Sequence, residues 1–404
     1  MNGKFQIVFV AMGQGDCCLI NCPDGRVVVV DCGSSSQGRL GLTTWFWEAC
    51  VTLRDPSWCG GKNNEIAAVI LTHPDKDHYN KLYDLTRKDT IPGFICPTSQ
   101  KSILDTKVAQ LSIDDIYISS AMSDDSPLGY YKETSLGSII ASNNIKVNKI
   151  HEITINNTGN SGKNRIKTWD KTSSLKASKA INSTTHDVIS DINNDWSISV
   201  IAGNVPCGYD REDNSTEENA NSLITLIKHG KIAALLTGDA TFSTEKFLAK
   251  HHSKALGEVR LLQIPHHGSA YGSSPNLLCS VCPEHAVVSV EFLEHRYYFP
   301  RKSVIKSWER SIWGDIQDHD YDHWDSVDWE KAEKIVTSNG RSWFKHSESF
   351  YYLKTPAAGG MIAYYFNVNK AYGLYRDQCS KAITMTSQKT QIYEMDSHGV
   401  DYKG

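Results

Sequence analysis

The stretch LTHPDKDHYN, residues 71–80, carries two imidazoles and two carboxylates within its central positions. They belong to His73, Asp75, Asp77 and His78, and they follow directly on the apolar run EIAAVIL. Carboxylates crowded on one short loop repel each other unless a cation lies between them. Aspartate at the start of a helix also caps it, so capping of the following HYNKLYDL segment is the structural alternative. The loop therefore predicts a cation site that other parts of the chain have to support.

Other apolar runs in the chain also end in residues that bind metal ions. KIAALLTG leads to Asp239, VRLLQIP leads to His266 and His267, and AVVSVEFLE leads to His295. Side chains at strand ends are held by a rigid sheet and still face a cleft, which suits a preorganised metal site. A carboxylate that bridges two ions about 3.5 to 4 Å apart is a recurrent way to hold such a pair, and Asp239 fits that role. The repeated pattern favours a dinuclear site over separate structural roles.

The overall composition restricts the range of functions. Among the 404 residues are 42 Lys and Arg against 46 Asp and Glu, a formal charge of -4, so any surface that binds nucleic acid has to be local. The 11 cysteines, an odd number, do not indicate a disulfide framework. The sequence shows no signal segment at its N-terminus and no apolar stretch of about 20 residues. These features predict a reduced, cytoplasmic protein that does not enter a membrane.

Strand and helix patterns are mixed along the chain, which predicts an α/β fold. Short apolar runs separated by the turns MGQGD and PDG predict an opening β-meander over residues 4–33. Residues 97–195 contain long Ser-, Asn- and Lys-rich stretches and predict a polar insertion. After about residue 310 the composition shifts to Trp, Tyr and Asp. We therefore predict a core domain over residues 1–310, interrupted by the insertion at 97–195, and a C-terminal extension over residues 311–404.

Four stretches of the sequence together resemble the metallo-β-lactamase fold, and specifically the hydrolase domain of competence DNA-uptake proteins, the ComEC-like branch. They are FVAMGQGDCCLINCPDGRVVVVDCG, LTHPDKDHYNKL, NANSLITLIKHGKIAALLTGDA, and VRLLQIPHHGS followed by VCPEHAVVSVE. The resemblance implies a four-layer αββα sandwich. It also implies a site for two divalent metal ions, zinc or manganese, at one edge of the two sheets.

The same resemblance implies a role for each residue of the site. His73 and Asp75 would bind the first ion, and Asp77 and His78 the second. Asp239 would bridge the two ions, and His266 would be a further ligand. Asp77 would also orient the attacking water and His267 would donate a proton to the leaving group, although His266 and His267 are interchangeable as ligand and donor. Asp75 stands where many relatives carry histidine. It gives the first ion a hard oxygen donor in place of a nitrogen, which makes manganese as suitable as zinc.

The chain departs from the ComEC-like pattern at two places. It carries YNK at residues 79–81 instead of a glycine pair, and Phe299 instead of a histidine in YYFP. Phenylalanine cannot bind a metal, so either His295 takes this place or the second ion keeps a water ligand. Asp31, in VVVVDCG, either fixes a turn or orients a metal ligand. The complete ligand set of the second ion therefore stays open.

These features predict a hydrolase of phosphodiester bonds that uses a metal-activated hydroxide. A nuclease on DNA or RNA is favoured by the resemblance and by the basic stretches NRIKTWDKTSSLKASK and RKSVIKSWER. A phosphodiesterase of small linear or cyclic nucleotides is favoured by the acidic net charge and by an insertion long enough to cover a small pocket. Phe299 and the C-terminal extension favour a third alternative, a regulatory member with a degenerate site. Residues 313–334, rich in Asp and Trp, are either a solvated surface or a docking surface for a protein partner.

Overall fold

The computed structural model of the protein describes part of the chain. The described residues are 3–12, 15–34, 44–60, 64–96, 100–119, 145–154, 164–170, 175–181, 185–193, 195–206, 209, 215–269, 271–281, 283–290, 304, 308, 333–336, 342–346, 349–350, 370–376, 383–385 and 391–403. Within them the chain forms two large β-sheets, three small β-ladders and several short helices.

The strands and helices have the following bounds. The strands are β1 (Phe5–Phe9), β2 (Cys17–Asn21), β3 (Val27–Cys32), β4 (Glu65–Leu71), β5 (Asp89–Ile91), β6 (Phe94–Ile95), β7 (Ser102–Ile103), β8 (Thr106–Val108), β9 (Ser112–Ser119), β10 (Lys146–Thr154), β11 (Asn164–Asp170), β12 (Leu175–Ile181), β13 (His186–Ser190), β14 (Trp196–Ala202), β15 (Ile224–His229), β16 (Ile232–Leu236), β17 (Val259–Gln263), β18 (His285–Val290), β19 (Glu333–Val336), β20 (Ser342–His346), β21 (Ser349–Phe350), β22 (Lys370–Arg376), β23 (Ile383–Met385), β24 (Gln391–Met395) and β25 (Val400–Tyr402). The helices are α1 (Thr44–Thr52), α2 (Lys76–Tyr79), α3 (Leu82–Thr86), α4 (Glu217–Ala220), α5 (Phe242–His251), α6 (Ser253–Leu256) and α7 (Pro275–Ser280), and Pro265–Gly268 forms a 3₁₀ turn.

The two large sheets face each other. The first has the strand order β12-β11-β10-β9-β4-β3-β2-β1-β24-β25, and the second has the order β13-β14-β15-β16-β17-β18-β22-β23. Side chains alternate between the two faces of a strand. In β3, Val28 and Val30 accordingly join the core that the two sheets share, whereas Val27 and Val29 face the helices on the other side. Because both faces are covered, this strand reads as a continuous apolar run rather than an alternating one.

Helices cover the outer face of each sheet. Phe46 of α1, Leu53 directly after α1 and Leu82 of α3 are buried in the outer core of the first sheet. Phe247 of α5 and Leu277 of α7 are buried in the cluster that contains the second sheet. Full burial of each such side chain stabilises the fold by roughly 1.5–3 kcal/mol. This arrangement confirms the predicted four-layer αββα sandwich. Among the described residues, none of the helices combines the length and the apolar character that a membrane-spanning helix needs.

Part of the predicted insertion extends the first sheet. β9 runs parallel to β4, and β10 runs parallel to β9. Ile113 and Ile116 of β9 are fully buried. The polar stretches NRIKTWD and LKASKAI form β11 and β12 at the edge of this sheet, where a strand needs fewer apolar side chains than in the centre. The insertion therefore contains sheet strands as well as connecting segments.

Strands from the end of the chain also belong to the two large sheets. β24 pairs with β1 in the first sheet, and β22 pairs with β18 in the second. The domain boundary at residue 310 stays a prediction. Most of the acidic segment 313–334, together with His295 and Phe299, lies outside the described residues.

Candidate metal centre

Loops from both sheets meet at one edge of the sandwich. The loop after β4 carries His73, Asp75, Asp77 and His78, the loop after β16 carries Asp239, and the 3₁₀ turn after β17 carries His266 and His267. The two sheets are joined at this edge by a hydrogen bond from the Leu223 N–H to the Thr72 carbonyl, at 2.9 Å. The structure thus brings all the sequence-predicted site residues together.

The Asp239 carboxylate lies at the centre of the site, and each of its oxygens faces two imidazoles. Its Oδ1 lies 3.4 Å from Nε2 of His78 and 3.4 Å from Nε2 of His267. Its Oδ2 lies 3.7 Å from Nε2 of His73 and 3.6 Å from Nε2 of His266. This two-sided arrangement is the geometry expected of a carboxylate shared by two cations.

Two groups of side chains have ligand atoms close enough to surround a cation. The atoms of each group lie within 4.8 Å of one another, and the groups are His73, Asp75 and Asp239, and Asp16, His78, Asp239 and His267. Asp239 belongs to both. Asp77 approaches the second group, with Oδ2 lying 3.9 Å from His267 Nε2.

The second group contains Asp16, a residue that none of the sequence motifs predicts as part of the site. Asp16 belongs to the MGQGD turn before β2, which was read only as part of the β-meander. The signal that was available is the strand direction. β2 is antiparallel to β3, so the start of β2 lies at the sheet edge where β3 ends.

Asp31 orients His78 from behind. One oxygen of Asp31 lies 2.8 Å from His78 Nδ1, and the carboxylate also accepts hydrogen bonds from Thr72 N and Oγ1, both at 2.8 Å. Asp31 has a positive φ of 55°, a conformation that short polar side chains tolerate. A carboxylate behind an imidazole fixes the ring tautomer and raises its basicity as a metal ligand. Of the two roles expected for Asp31, this geometry favours the orienting one.

The tandem histidines adopt a strained backbone. His266 and His267 have φ values of 50° and 51°, which cost on the order of 1–3 kcal/mol each and recur at functional sites. The His267 Nδ1 lies 2.8 Å from the Ser289 carbonyl, so Nδ1 donates and Nε2 remains available to the cluster. The Asn219 side-chain amide lies 3.2 Å from His266 Nε2. The strained turn thus directs two neighbouring imidazoles to opposite oxygens of Asp239.

The electrostatics of the cluster reflect its crowding. Burial would raise the pKa of Asp239, but the surrounding imidazoles, led by His267, outweigh it and hold the pKa well below its usual range. Burial would lower the pKa of His78, but Asp239 and Asp31 outweigh it and raise the pKa well above its ordinary value. Burial lowers the pKa of His266. In the protein without metal these effects favour the ionised form of Asp239 and the protonated form of His78, so binding of a cation at His78 would release a proton.

The donor set fits divalent cations. Three buried atoms of the cluster make no hydrogen bond of ordinary length: Nε2 of His73 and Nε2 of His78, which face Asp239 at 3.7 and 3.4 Å, and Oδ1 of Asp239. An unsatisfied buried polar group costs about 1–3 kcal/mol. Imidazole nitrogens and carboxylate oxygens are the ligands of zinc and manganese, so a cation on each side of Asp239 would satisfy these atoms.

Parts of the chain are similar to known proteins. Residues 10–138 match the family model of the metallo-beta-lactamase superfamily. Recombination protein 2 of Haemophilus influenzae is 36% identical over 93 residues, which are 23% of this chain and only 11% of that protein. Among solved structures, the short form of human tRNase Z is 12% identical, covering 64% of this chain and 77% of its own, with a TM-score of 0.31. A variant of the CmlA β-hydroxylase is 12% identical, covering 68% of this chain and 37% of its own, with a TM-score of 0.29.

The family match includes the loop on which the site is built. Residues 10–138 contain β2 and β3 of the β-meander and all four ligand-type side chains of HPDKDH. The match over residues 10–138, the paired sheets and the carboxylate at their edge agree with the metallo-β-lactamase fold that the sequence resemblance predicts.

Proposed function

We propose that the protein is a metal-dependent phosphodiesterase that cleaves nucleic acid, DNA or RNA. The observation that carries the proposal is the position of Asp239, whose two oxygens face separate pairs of imidazoles. Two divalent ions, zinc or manganese, would supply a nucleophile at neutral pH and neutralise charge that develops on the phosphate. The buried Nε2 atoms of His73 and His78 argue against a degenerate site, because they make no hydrogen bond of ordinary length and such atoms are costly without a ligand.

The chain's own residues divide the remaining tasks. His73 and Asp75 would hold one ion and His78 and His267 the other, with Asp239 between them. Asp77, whose side chain is 20% exposed, can accept a hydrogen bond from the attacking water and orient it. His266 belongs to neither ligand group and its side chain is 13% exposed, so it is the histidine we assign as proton donor to the leaving group. We therefore assign His267 as the metal ligand and His266 as the proton donor, the reverse of the roles that the resemblance implies.

The substrate class is supported by the curated relative and by local charge. Recombination protein 2 is named for a nucleic-acid process, although its match covers a small part of that protein. The basic stretches at residues 164–179 and 301–310 would supply local contacts to phosphates despite the net charge of -4. The same net charge is the observation that keeps small linear or cyclic nucleotides as the alternative substrate class.

The test compares substrates and variants in one assay. Purified protein is stripped with chelator, reloaded with Mn²⁺ or Zn²⁺, and incubated with labelled single-stranded DNA, double-stranded DNA, RNA and cyclic nucleotides. We expect cleavage of a polynucleotide that is lost in Asp239→Ala and retained in Asp401→Asn, a matched carboxylate change at a 64% exposed side chain. Turnover of cyclic nucleotides alone would establish the alternative. A protein that retains bound metal and cleaves none of these substrates would contradict the proposed function.

A further inference from the structure

The carboxylate of Asp16 lies inside the site although neither the HPDKDH loop nor the family resemblance gives it a role. We propose that Asp16 is a ligand of the second cation, together with His78, His267 and Asp239. The inference rests on the proposed two-metal function and adds a ligand to it. It gives the second ion a carboxylate from β2, an element that the resemblance leaves without a site residue.

The geometry of the second group supports a shared cation. Ligand atoms of Asp16, His78, Asp239 and His267 lie within 4.8 Å of one another, and all four residues are buried. Asp16 is 4% exposed, and its Oδ2 lies 3.9 Å from His78 Nδ1, beyond hydrogen-bonding distance. Within the same group, the buried His78 Nε2 and Asp239 Oδ1 face each other at 3.4 Å and make no hydrogen bond of ordinary length. A single cation would satisfy these two atoms and offset the charge of the buried Asp16 carboxylate.

Backbone contacts fix Asp16 against the metal-binding loop. The Asp16 N–H donates to the Asp77 carbonyl at 3.2 Å, and the Gly33 N–H donates to the Asp16 carbonyl at 2.9 Å. A Cβ added at Gly33 would lie 2.1 Å from the Asp77 carbonyl carbon. A Cβ added at Gly15, which has a φ of 127°, would lie 2.7 Å from the Asp77 carbonyl oxygen. Gly15, next to Asp16, and Gly33, directly after β3, therefore allow the chain to pack on the metal-binding loop with the Asp16 carboxylate at the cluster.

A purely orienting role for Asp16 is already filled. His78 Nδ1 is held by Asp31 at 2.8 Å, so the ring does not need a second carboxylate to fix its tautomer. Asp16 precedes a strand and not a helix, so helix capping does not explain it either. The ComEC-like pattern has a histidine where this chain has Phe299, and the Asp16 carboxylate can supply a ligand in place of that histidine.

The extra carboxylate also affects which metal the site prefers. With Asp16, the second ion is surrounded by oxygen donors from Asp16 and Asp239, and from Asp77 nearby, besides the two imidazoles. Carboxylate oxygens suit manganese better than zinc, whereas imidazole and thiolate ligands suit zinc. We therefore expect Asp16 to matter more for Mn²⁺ than for Zn²⁺.

The experiment measures metal binding without using activity. Chelator-stripped wild type, Asp16→Asn, Asp239→Ala and Asp401→Asn are titrated with Mn²⁺, and free ion is followed by electron paramagnetic resonance; a parallel titration uses Zn²⁺ and a chromophoric chelator. Wild type and Asp401→Asn should bind two ions. Asp16→Asn should keep the first ion and bind the second at least about 100-fold more weakly, more than the 10- to 100-fold typical of an outer hydrogen-bond partner. Its loss should be larger for Mn²⁺ than for Zn²⁺.

Two results separate this inference from the proposed function. Equal affinities for both ions in wild type and Asp16→Asn would overturn the role of Asp16 while leaving the two-metal site intact. Absence of binding in wild type would instead contradict the metal centre itself. If Asp16→Asn does not fold, a crystal structure of the wild type loaded with Mn²⁺ decides: an Asp16 oxygen at coordination distance supports the inference, and an Asp16 oxygen beyond about 3 Å from either ion overturns it.

Discussion

At the scale of single residues, the site is set by hydrogen bonds that hold Nδ1 of three imidazoles away from the cluster. Nδ1 of His73 lies 3.0 Å from Thr72 Oγ1, Nδ1 of His78 lies 2.8 Å from Asp31, and Nδ1 of His267 lies 2.8 Å from a carbonyl. In all three rings Nε2 therefore faces Asp239. The common tautomer indicates that the partners behind the rings matter nearly as much as the rings themselves.

Replacing Asp31 with asparagine tests that dependence. Asparagine keeps the size of the side chain and tolerates the positive φ of 55°, but removes the charge that holds His78 Nδ1. We expect the affinity for the second metal ion to fall by about 10- to 100-fold, with Asp401→Asn unchanged. Competition with a chromophoric chelator measures it. Unchanged affinity in a folded Asp31→Asn protein would show that Asp31 only fixes the backbone.

Metal binding should depend on pH through His78. Asp239 and Asp31 outweigh the effect of burial and raise the pKa of His78 well above its ordinary value. In the protein without metal, the stabilisation from this charged ring is complete below the unfolded pKa of about 6.5 and is lost as the pH rises through the folded pKa. A cation needs the neutral ring, so its affinity should increase over that same rise in pH.

Isothermal titration calorimetry in buffers with different ionisation heats measures the protons released. At pH 7 we expect the apparent heat of metal binding to change with the buffer, in the direction of proton release. The dependence should become weaker as the pH approaches the raised pKa of His78. Equal heats in all buffers at pH 7 would contradict a protonated His78.

At the scale of secondary structure, the sequence predicts strands more successfully than it predicts the contacts between loops. The apolar runs at β1 to β4 and at β15 to β18 are strands as expected, and each predicted ligand follows one of them. Asp16 was missed because its proximity to Asp77 depends on two glycines that pack one loop on another, a contact between segments about 60 residues apart. Hydrophobic periodicity carries no information on such contacts.

Gly33→Ala tests whether this close packing is required. A Cβ there would lie 2.1 Å from the Asp77 carbonyl carbon and 2.4 Å from His78 N, so the backbone of the metal-binding loop has to move. We expect the free energy of unfolding to fall by about 1–3 kcal/mol, the usual cost of overpacking, and metal affinity to fall with it. Gly399→Ala is the control, because a Cβ there meets nothing within 4 Å. Urea denaturation of the two variants gives the comparison; equal stabilities would refute the close contact.

At the scale of the whole molecule, distant parts of the chain complete the two sheets. β24 pairs with β1 across nearly the full length of the sequence, and β9 and β10 arise within the predicted insertion. Local composition could not reveal these pairings, since the partner of a strand is set by the whole fold and not by its own pattern. A deletion of residues from 311 onward would therefore remove β22 and β24 from the two sheets.

Point changes at Tyr393 test the contribution of the last strands without that deletion. Tyr393 is fully buried, and its ring contacts Phe9 of the first sheet and His285 of the second, with centroid distances of 6.1 and 5.4 Å. Its hydroxyl is buried without a hydrogen-bond partner, which costs about 1–3 kcal/mol. Tyr393→Phe should therefore leave the free energy of unfolding unchanged or raise it by about 1 kcal/mol.

Tyr393→Ala should have the opposite effect. Loss of the ring should lower the free energy of unfolding by about 3–5 kcal/mol, because it leaves a cavity between the two sheets. Thermal and urea denaturation of the two variants give the comparison. If Tyr393→Phe is destabilising, the hydroxyl has a partner such as a buried water; if Tyr393→Ala is neutral, β24 does not pack in the shared core. The expected pair of opposite effects would establish that β24 packs in the core shared by the two sheets whose loops carry the metal site.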